Sequence, residues 1–557
     1  MKKSSKIIDL CIAIGMNIVF FVVFVFLFKP LHETNDDLAL SFLVEGAYGE
    51  RSPYLVYQNV LWGKFLVGLY TLVPTVKWYN ILMLLMLFLG FSAMSYSFIR
   101  IQGKKMGIAA SSTLLIFCGY YSYVVFQYSR IAPVVTAGGL VLLFYAIEYA
   151  DTKFEKIFSI IVGILLAVWG SLIRFQMFGL AVVLVGGAIG LYKVFLLVKN
   201  RQAGWLKQIG IYAAVFGSVG VLSLVCYVVD QKHYASDEVW AAYQEFNAVR
   251  TELWDYGFPE YEGNEEAFEE IGVSESDFEY YQTWNMDEEA MTIENLQVIA
   301  DAKPEKTFDM LGFLSIFPKY FFSISVFVVF LVLGLLAVGL KWKNLYFVLF
   351  EFAGVMVFEA YFYYIGRYGI TRVDNGMWMV AVIALMYGMS EDLAKLGDIQ
   401  WKKVLALVGI AGVLFIADFT RTTVAVDGRV GATKEFFEEV TQDDEHLYIM
   451  MGAAPKIYYG FDFWEACDVG ELSNIYNAYG WEFNVGVKKA VLEDYGVTNI
   501  YRDSINNDAV YFVTSGEQDM LEAYIKENYD PNAVLEGVTA IEGAAVWRVT
   551  SLENAVE

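Results

Sequence analysis

Thiols and imidazoles are scarce in this chain of 557 residues, which has four cysteines and three histidines, His32, His233 and His446. Cys11, Cys118 and Cys226 fall in apolar runs and Cys467 stands alone in a soluble part, so no disulfide framework and no CxxC pair is available. That argues against thiol redox chemistry and a thiolate zinc centre, and three scattered histidines leave little for a histidine-rich one. No N-x-S/T acceptor occurs, which favours a bacterial over a eukaryotic secretory origin. Charge is thin too. Only 18% of residues are charged against 57% hydrophobic, and a soluble chain does not repeat apolar runs of about 18 or more residues.

The net charge of −24 is local rather than general. The stretches 230–311 and 418–557 carry about −18 and about −17, leaving about +11 on the rest. The sequence is therefore a basic membrane body with two acidic soluble parts, and no nucleic-acid partner is expected.

A bilayer core of about 30 Å takes roughly 20 apolar residues per helix. Spans are expected at 7–28, 79–99, 106–126, 131–150, 157–174, 176–197, 209–229, 316–340, 344–365, 374–390 and 401–417. The first follows Lys2, Lys3 and Lys6 and reads as a retained anchor, being too long for a signal-peptide core. Arg100, Lys104 and Lys105, then Lys153 and Lys156, Lys199, Arg201 and Lys207, Lys341 and Lys343, and Lys395, Lys402 and Lys403 all fall between spans on one side. Short Lys/Arg-rich loops stay cytoplasmic, so the N-terminus is expected inside and the acidic parts outside the cell membrane. Residues 54–73 are apolar but contain Gln58, Asn59 and Lys64. Counting them as a span would reverse every later cluster, so 30–78 reads as one external loop with 54–73 as a helix on the membrane surface; a re-entrant hairpin is the alternative.

The expected fold class is mainly α: a polytopic transmembrane helical bundle of about 11 spans with a C-terminal extracytoplasmic α/β domain. The membrane domain is 1–417, with an external insertion at 230–315, and the soluble domain is 418–557. The insertion, with FNAVRTELWDYGFPEY at 246–261, is either a solvated spacer or a lid over a membrane cavity. In the last domain HLYIM (446–450), AVYFV (509–513) and AAVWRV (544–549) are strand-like, and 485–494 and 517–528 have helical spacing. It carries no nucleophile elbow, phosphate-binding glycine loop or metal motif, so it reads as a binding or packing domain.

Two groups of ionisable residues at the outer rim require an explanation. HETNDD at 32–37 places Asp36 and Asp37 ahead of an apolar helical stretch. Capping of that helix accounts for one acid. A carboxylate that takes a proton from a hydroxyl, or holds a divalent cation, is the functional reading. Adjacent acids point in different directions on a helix, so one acts and the other is structural. Arg130, Arg174, Arg367 and Arg372 sit at the outer ends of four spans. Snorkelling explains any one of them, whereas four together suit a phosphate-bearing lipid, because guanidinium binds phosphate bidentately and stays charged when half-buried.

The long first external loop with acids after the first helix, the surface helix, the many spans and the external C-terminal domain together resemble the GT-C fold of integral-membrane glycosyltransferases. The resemblance implies a polyprenyl-phosphate-linked sugar donor, an acidic base in the first loop (Asp36 or Asp37 here) and basic residues holding the donor phosphate. The usual Asp-Glu pair of the family is replaced by Asp-Asp. The expected function is transfer of sugar to a cell-surface glycan, lipid or protein on the external face, with inversion. The alternatives are a transporter or flippase, for which Glu351 and Glu359 would be the residues to examine, and a non-catalytic envelope assembly protein.

Overall fold

The structure is a computed structural model and describes residues 6–201, 204–323, 325–395, 412, 436–451, 461–482, 486–541 and 544–551. Its helices form where the apolar runs are. Among the described residues eight helices are long and apolar enough to cross a membrane: Lys6–Leu27, Trp78–Gln102, Lys104–Val124, Tyr128–Glu148, Lys153–Ile173, Phe175–Asn200, Trp205–Ala235 and Trp342–Ile365. The chain is a membrane-embedded, polytopic helical bundle with a C-terminal sheet. The expected run 316–340 is divided between Met310–Ser323 and Ser325–Leu340. The expected span 374–390 is the helix Thr371–Gly388, buried along most of its length. The expected span 401–417 lies outside the described residues.

Helices Trp78–Gln102, Tyr128–Glu148 and Lys153–Ile173 pack backbone to backbone. A Cβ on Gly138 would lie 2.7 Å from the Gly90 Cα, and one on Gly139 would lie 2.5 Å from the Gly163 carbonyl oxygen. In lipid the hydrophobic effect does not separate helix from solvent, so close approach through small residues supplies the attraction.

The helices have two unlike ends. At one, Arg100 pairs with Asp9 at 3.0 Å and Asp151 at 2.7 Å, and Lys341 and Lys343 each lie 3.2 Å from Asp392. At the other, the expected helix 54–73 is shorter, Val60–Leu72, capped by Asn59, and 54–59 are non-helical. Its thirteen residues span about 20 Å, short of the roughly 30 Å a crossing requires. Two of the polar residues noted in this run have partners in the fold: Gln58 donates to Tyr79 Oη at 2.6 Å and the Asn59 amide donates to the Cys226 carbonyl at 3.0 Å, while Lys64 is exposed; beside them Asp230 accepts from the Val60 N–H at 2.7 Å.

The C-terminal sheet has the order β4-β3-β5-β7-β6. Strands β3 (Leu447–Met450), β4 (Ile475–Asn477) and β5 (Val510–Thr514) are parallel, and β7 (Ala544–Ser551) and β6 (Ala533–Ile541) are antiparallel additions. Helices Gly486–Asp494 and Gln518–Asn528 accompany it. A separate parallel pair, β1 (Leu31–His32) with β2 (Val125–Phe126), ties the chain after the first long helix to the chain before Tyr128–Glu148. That pairing sets HETNDD beside Arg130.

The sheet end of the chain is fastened to the first loop through a buried ion pair. Glu45 and Lys77 have side chains with 0% exposure and meet at 2.8 Å. Glu45 also accepts from Tyr70 Oη at 3.0 Å, from Ser41, and from the Cys467 N–H at 2.9 Å. Asn80 donates to the Phe463 carbonyl at 2.7 Å, and the N–H groups of Gly470 and Leu472 reach the Gly46 and Ala47 carbonyls. His32 packs against both Phe126 and Phe463, which also touch each other; burial first, then the Lys77 charge, push it down to about 3, so it is a neutral ring here. Replacing one member of a buried pair strands the other charge. Lys77→Met is expected to lower stability by about 3–5 kcal/mol, read as thermal melting in detergent, and to expose 461–472 to protease. A melting curve unchanged from wild type would show that Glu45 does not depend on Lys77.

Candidate functional site

The helix Asp36–Glu45 begins the site. Its N-cap is Asn35, whose side chain makes no capping bond, so Asp36 and Asp37 occupy the first turn rather than the cap. Successive residues on a helix diverge by about 100°, and the two acids part accordingly. Asp37 turns inward and is fully buried. Its Oδ1 accepts from Tyr79 Oη at 3.0 Å and from the Tyr128 N–H at 3.2 Å, and Tyr79 Oη in turn accepts from Gln58 Nε2 at 2.6 Å. Burial, with the Asp36 charge beside it, holds the Asp37 carboxyl well above the usual carboxylate range. Asp36 turns toward the arginines. Its Oδ2 lies 3.7 Å from Arg372 Nη2, and its Oδ1 accepts from Trp481 Nε1 at 3.1 Å.

The four arginines have unequal partners. Arg130 is fully buried; it pairs with Glu33, donates to the Val125 carbonyl at 2.7 Å and lies 4.1 Å from the Tyr121 ring centre. Arg367 pairs with Asp255 at 3.1 Å. Arg174, in extended backbone between two helices, donates to Tyr128 Oη at 3.1 Å and lies over the Tyr57 and Tyr128 rings at 5.0 and 5.3 Å. Arg372, in the first turn of its helix, has only Asp36 as its described ion-pair partner. Arg250, absent from the sequence reading, joins them: it meets Asp255 at 3.2 Å and approaches Tyr57 Oη at 3.5 Å. The sequence marked 246–261 for its aromatics and breakers; the signal missed was an arginine five residues before an aspartate, which a π-helical turn over Thr251–Asp255 brings together.

The contacts run from Arg372 and Asp36 through Trp481 to Tyr57, and from Tyr57 to Arg174 and Tyr128 on one side and to Arg250, Asp255 and Arg367 on the other. Arg130 and Glu33 lie at the edge, with Glu33 in electrostatic reach of Arg372. Among the described residues no group of three or more His, Cys, Asp or Glu is placed to hold a metal ion. Glu33 and Asp255 are committed to arginines and Asp37 to Tyr79 and Tyr128, so these acids do not fit a divalent cation. What the cluster offers is a partly exposed carboxylate, Asp36, only loosely held by Arg372, beside five arginines whose charge exceeds that of the three carboxylates paired with them.

No family model matches the chain, and no curated protein matches it. Two crystal structures of ArnT from Cupriavidus metallidurans are similar over 96% of this chain and 97% of theirs. One is bound to undecaprenyl phosphate, with TM-score 0.41 and 11% identity, and the other is in the apo state, with 0.42 and 12%. At these values the likeness carries no residue correspondence.

Asp37 has a pH signature. An acid whose folded pKa is raised binds its proton more tightly when folded, so its contribution is complete below the ordinary value of about 4 and is lost as pH rises toward the raised one. Asp37→Asn supplies a neutral acceptor of the same shape. The expectation is a protein that folds and whose melting temperature falls less steeply than wild type as pH rises above that ordinary value. Parallel curves for the two proteins would show that Asp37 is ionised.

Proposed function

We propose that this chain is a membrane glycosyltransferase that takes sugar from a polyprenyl-phosphate-linked donor and passes it to a cell-surface acceptor. The observation that carries this reading is the 3.7 Å approach of Asp36, a partly exposed acid, to Arg372, within one polar cluster that also holds Arg174. Arg174, which has no carboxylate partner among the described residues, and Arg372, whose contact with Asp36 is loose at 3.7 Å, bind the donor phosphate and stabilise it as it leaves. Asp36 accepts the proton of the acceptor hydroxyl as that oxygen attacks the anomeric carbon, the bond to phosphate breaks, and configuration inverts. Arg130 and Arg367 hold the walls through Glu33 and Asp255, and Asp37 fixes the helix that carries Asp36. The cluster belongs on the external face, with the N-terminus cytoplasmic, as the Lys/Arg distribution requires.

Membranes enriched in the protein, which themselves supply acceptor, are given polyprenyl-phosphate-linked [14C]mannose, glucose or galactose. Asp36→Asn is expected to reduce sugar transfer by about 10²–10⁴-fold with unchanged melting. Arg174→Ala and Arg372→Ala are each expected to weaken undecaprenyl phosphate binding by roughly tenfold or more. Transfer at the wild-type rate by Asp36→Asn sinks the assignment.

One observation favours a second reading. Glu351, on the helix Leu345–Ile365, has a fully buried side chain, and neither of its carboxyl oxygens has a hydrogen-bond partner among the described residues. A lone intramembrane carboxyl is the residue a proton-linked flippase would use. Under that reading Glu351→Gln abolishes pH-driven movement of undecaprenyl phosphate across proteoliposomes, whereas under the transferase reading it leaves sugar transfer intact.

A further inference from the structure

The C-terminal domain reaches the candidate base directly. Trp481 follows β4 within the short 3-10 turn Gly480–Glu482, at the carboxyl end of a parallel strand, the place where open α/β sheets present ligand-contacting loops. Gly480 takes the left-handed conformation, φ +72, that this reversal needs. The turn is held from behind by the insertion: Tyr243 Oη donates to the Trp481 carbonyl at 2.8 Å, and the Gly480 N–H reaches the Trp284 carbonyl at 3.4 Å. Trp284 is itself left-handed, φ +73, a conformation that a bulky side chain takes only where its surroundings impose it. In front, the indole N–H meets Asp36 Oδ1 at 3.1 Å, and the ring packs edge-on to Tyr57 with centres 5.2 Å apart. Three parts of the chain, separated by more than two hundred residues at each step, converge on one carboxylate oxygen.

We propose that Trp481 is a positioning residue for Asp36, resting on the reading of Asp36 as the base. Its N–H occupies one carboxylate oxygen and fixes the rotamer, so that the other oxygen is presented beside Arg372, where the acceptor hydroxyl is deprotonated. Docking of the C-terminal domain and the insertion thereby becomes a condition for turnover: the base is aimed only when both are seated. Tryptophan suits the task because its single donor cannot take the proton that Asp36 must accept.

Two variants remove the N–H and keep a ring, Trp481→Phe and Trp481 replaced by its sulfur isostere benzothienylalanine, which has the same shape. Each is assayed with the polyprenyl-phosphate [14C]sugars above, and each is tested for undecaprenyl phosphate binding. The expected result for both is kcat lowered about tenfold, with donor KM and undecaprenyl phosphate affinity within about twofold of wild type. A packing role would instead spare the isostere. An isostere with wild-type kcat, while Asp36→Asn is inactive, overturns the role of Trp481 and leaves the proposed function standing. Wild-type activity in Asp36→Asn overturns both.

Discussion

Two opposite charges, Glu45 and Lys77, lie side by side with no access to water, and the end of the molecule that carries the site is arranged around them. Ions in a low-dielectric interior are tolerated only when their remaining lone pairs and protons are also satisfied. Here the donors to Glu45 come from its own helix (Ser41), from the helix Val60–Leu72 (Tyr70), and from the C-terminal segment (the Cys467 N–H). None of these can shift without unpairing a charge. Asp36 stands at the other end of the same ten-residue helix, about 13.5 Å away along its axis. The constraint that anchors the C-terminal segment to the loop thus also sets where the candidate base stands.

The same rule of charge satisfaction sorts the site. Arg130 is fully buried and has Glu33 for a partner; Arg250 and Arg367 share Asp255. Each of those carboxylates is spoken for. Arg174 rests on tyrosine faces and a tyrosine hydroxyl, which stabilise a cation without neutralising it, and Arg372 leans on Asp36 at longer range. Five arginines thus face three paired carboxylates, Asp36, Glu33 and Asp255, so positive charge is in excess, most plainly at Arg174, which has no ion-pair partner among the described residues. On the proposed function an anionic phosphate would balance that excess. The buried Asp37 illustrates the opposite case, a carboxyl whose proton affinity burial and the neighbouring Asp36 charge raise.

Much of the architecture was legible. Apolar runs of spanning length become helices wherever the structure describes them, because in hydrocarbon a chain has no other means of satisfying its backbone. HLYIM, AVYFV and AAVWRV form β3, β5 and β7, since alternating β-branched and aromatic residues fit a half-buried pleat. The three residues of β4 and the Glu- and Gly-containing β6 carried too weak a pattern to be read. The site was half legible: Asp36, Asp37 and the arginines were conspicuous as charges in apolar company, but Arg250 and Trp481 sit in ordinary soluble segments where such residues are commonplace.

By itself the sequence determined that this chain lives in a membrane, how its basic and acidic parts alternate along it, and which charges near the rim required an explanation. Those are properties of composition and spacing, carried by residues close together in the chain. Only the tertiary structure decided which acid faces outward, which arginines keep their charge unspent, and that an indole more than four hundred residues away meets Asp36. These depend on pairings between distant segments, β1 with β2 and the C-terminal segment with the first loop, whose partners no local pattern names. A carboxylate and a guanidinium look the same in sequence whether they are paired or free, and it is the pairing that decides what they can do.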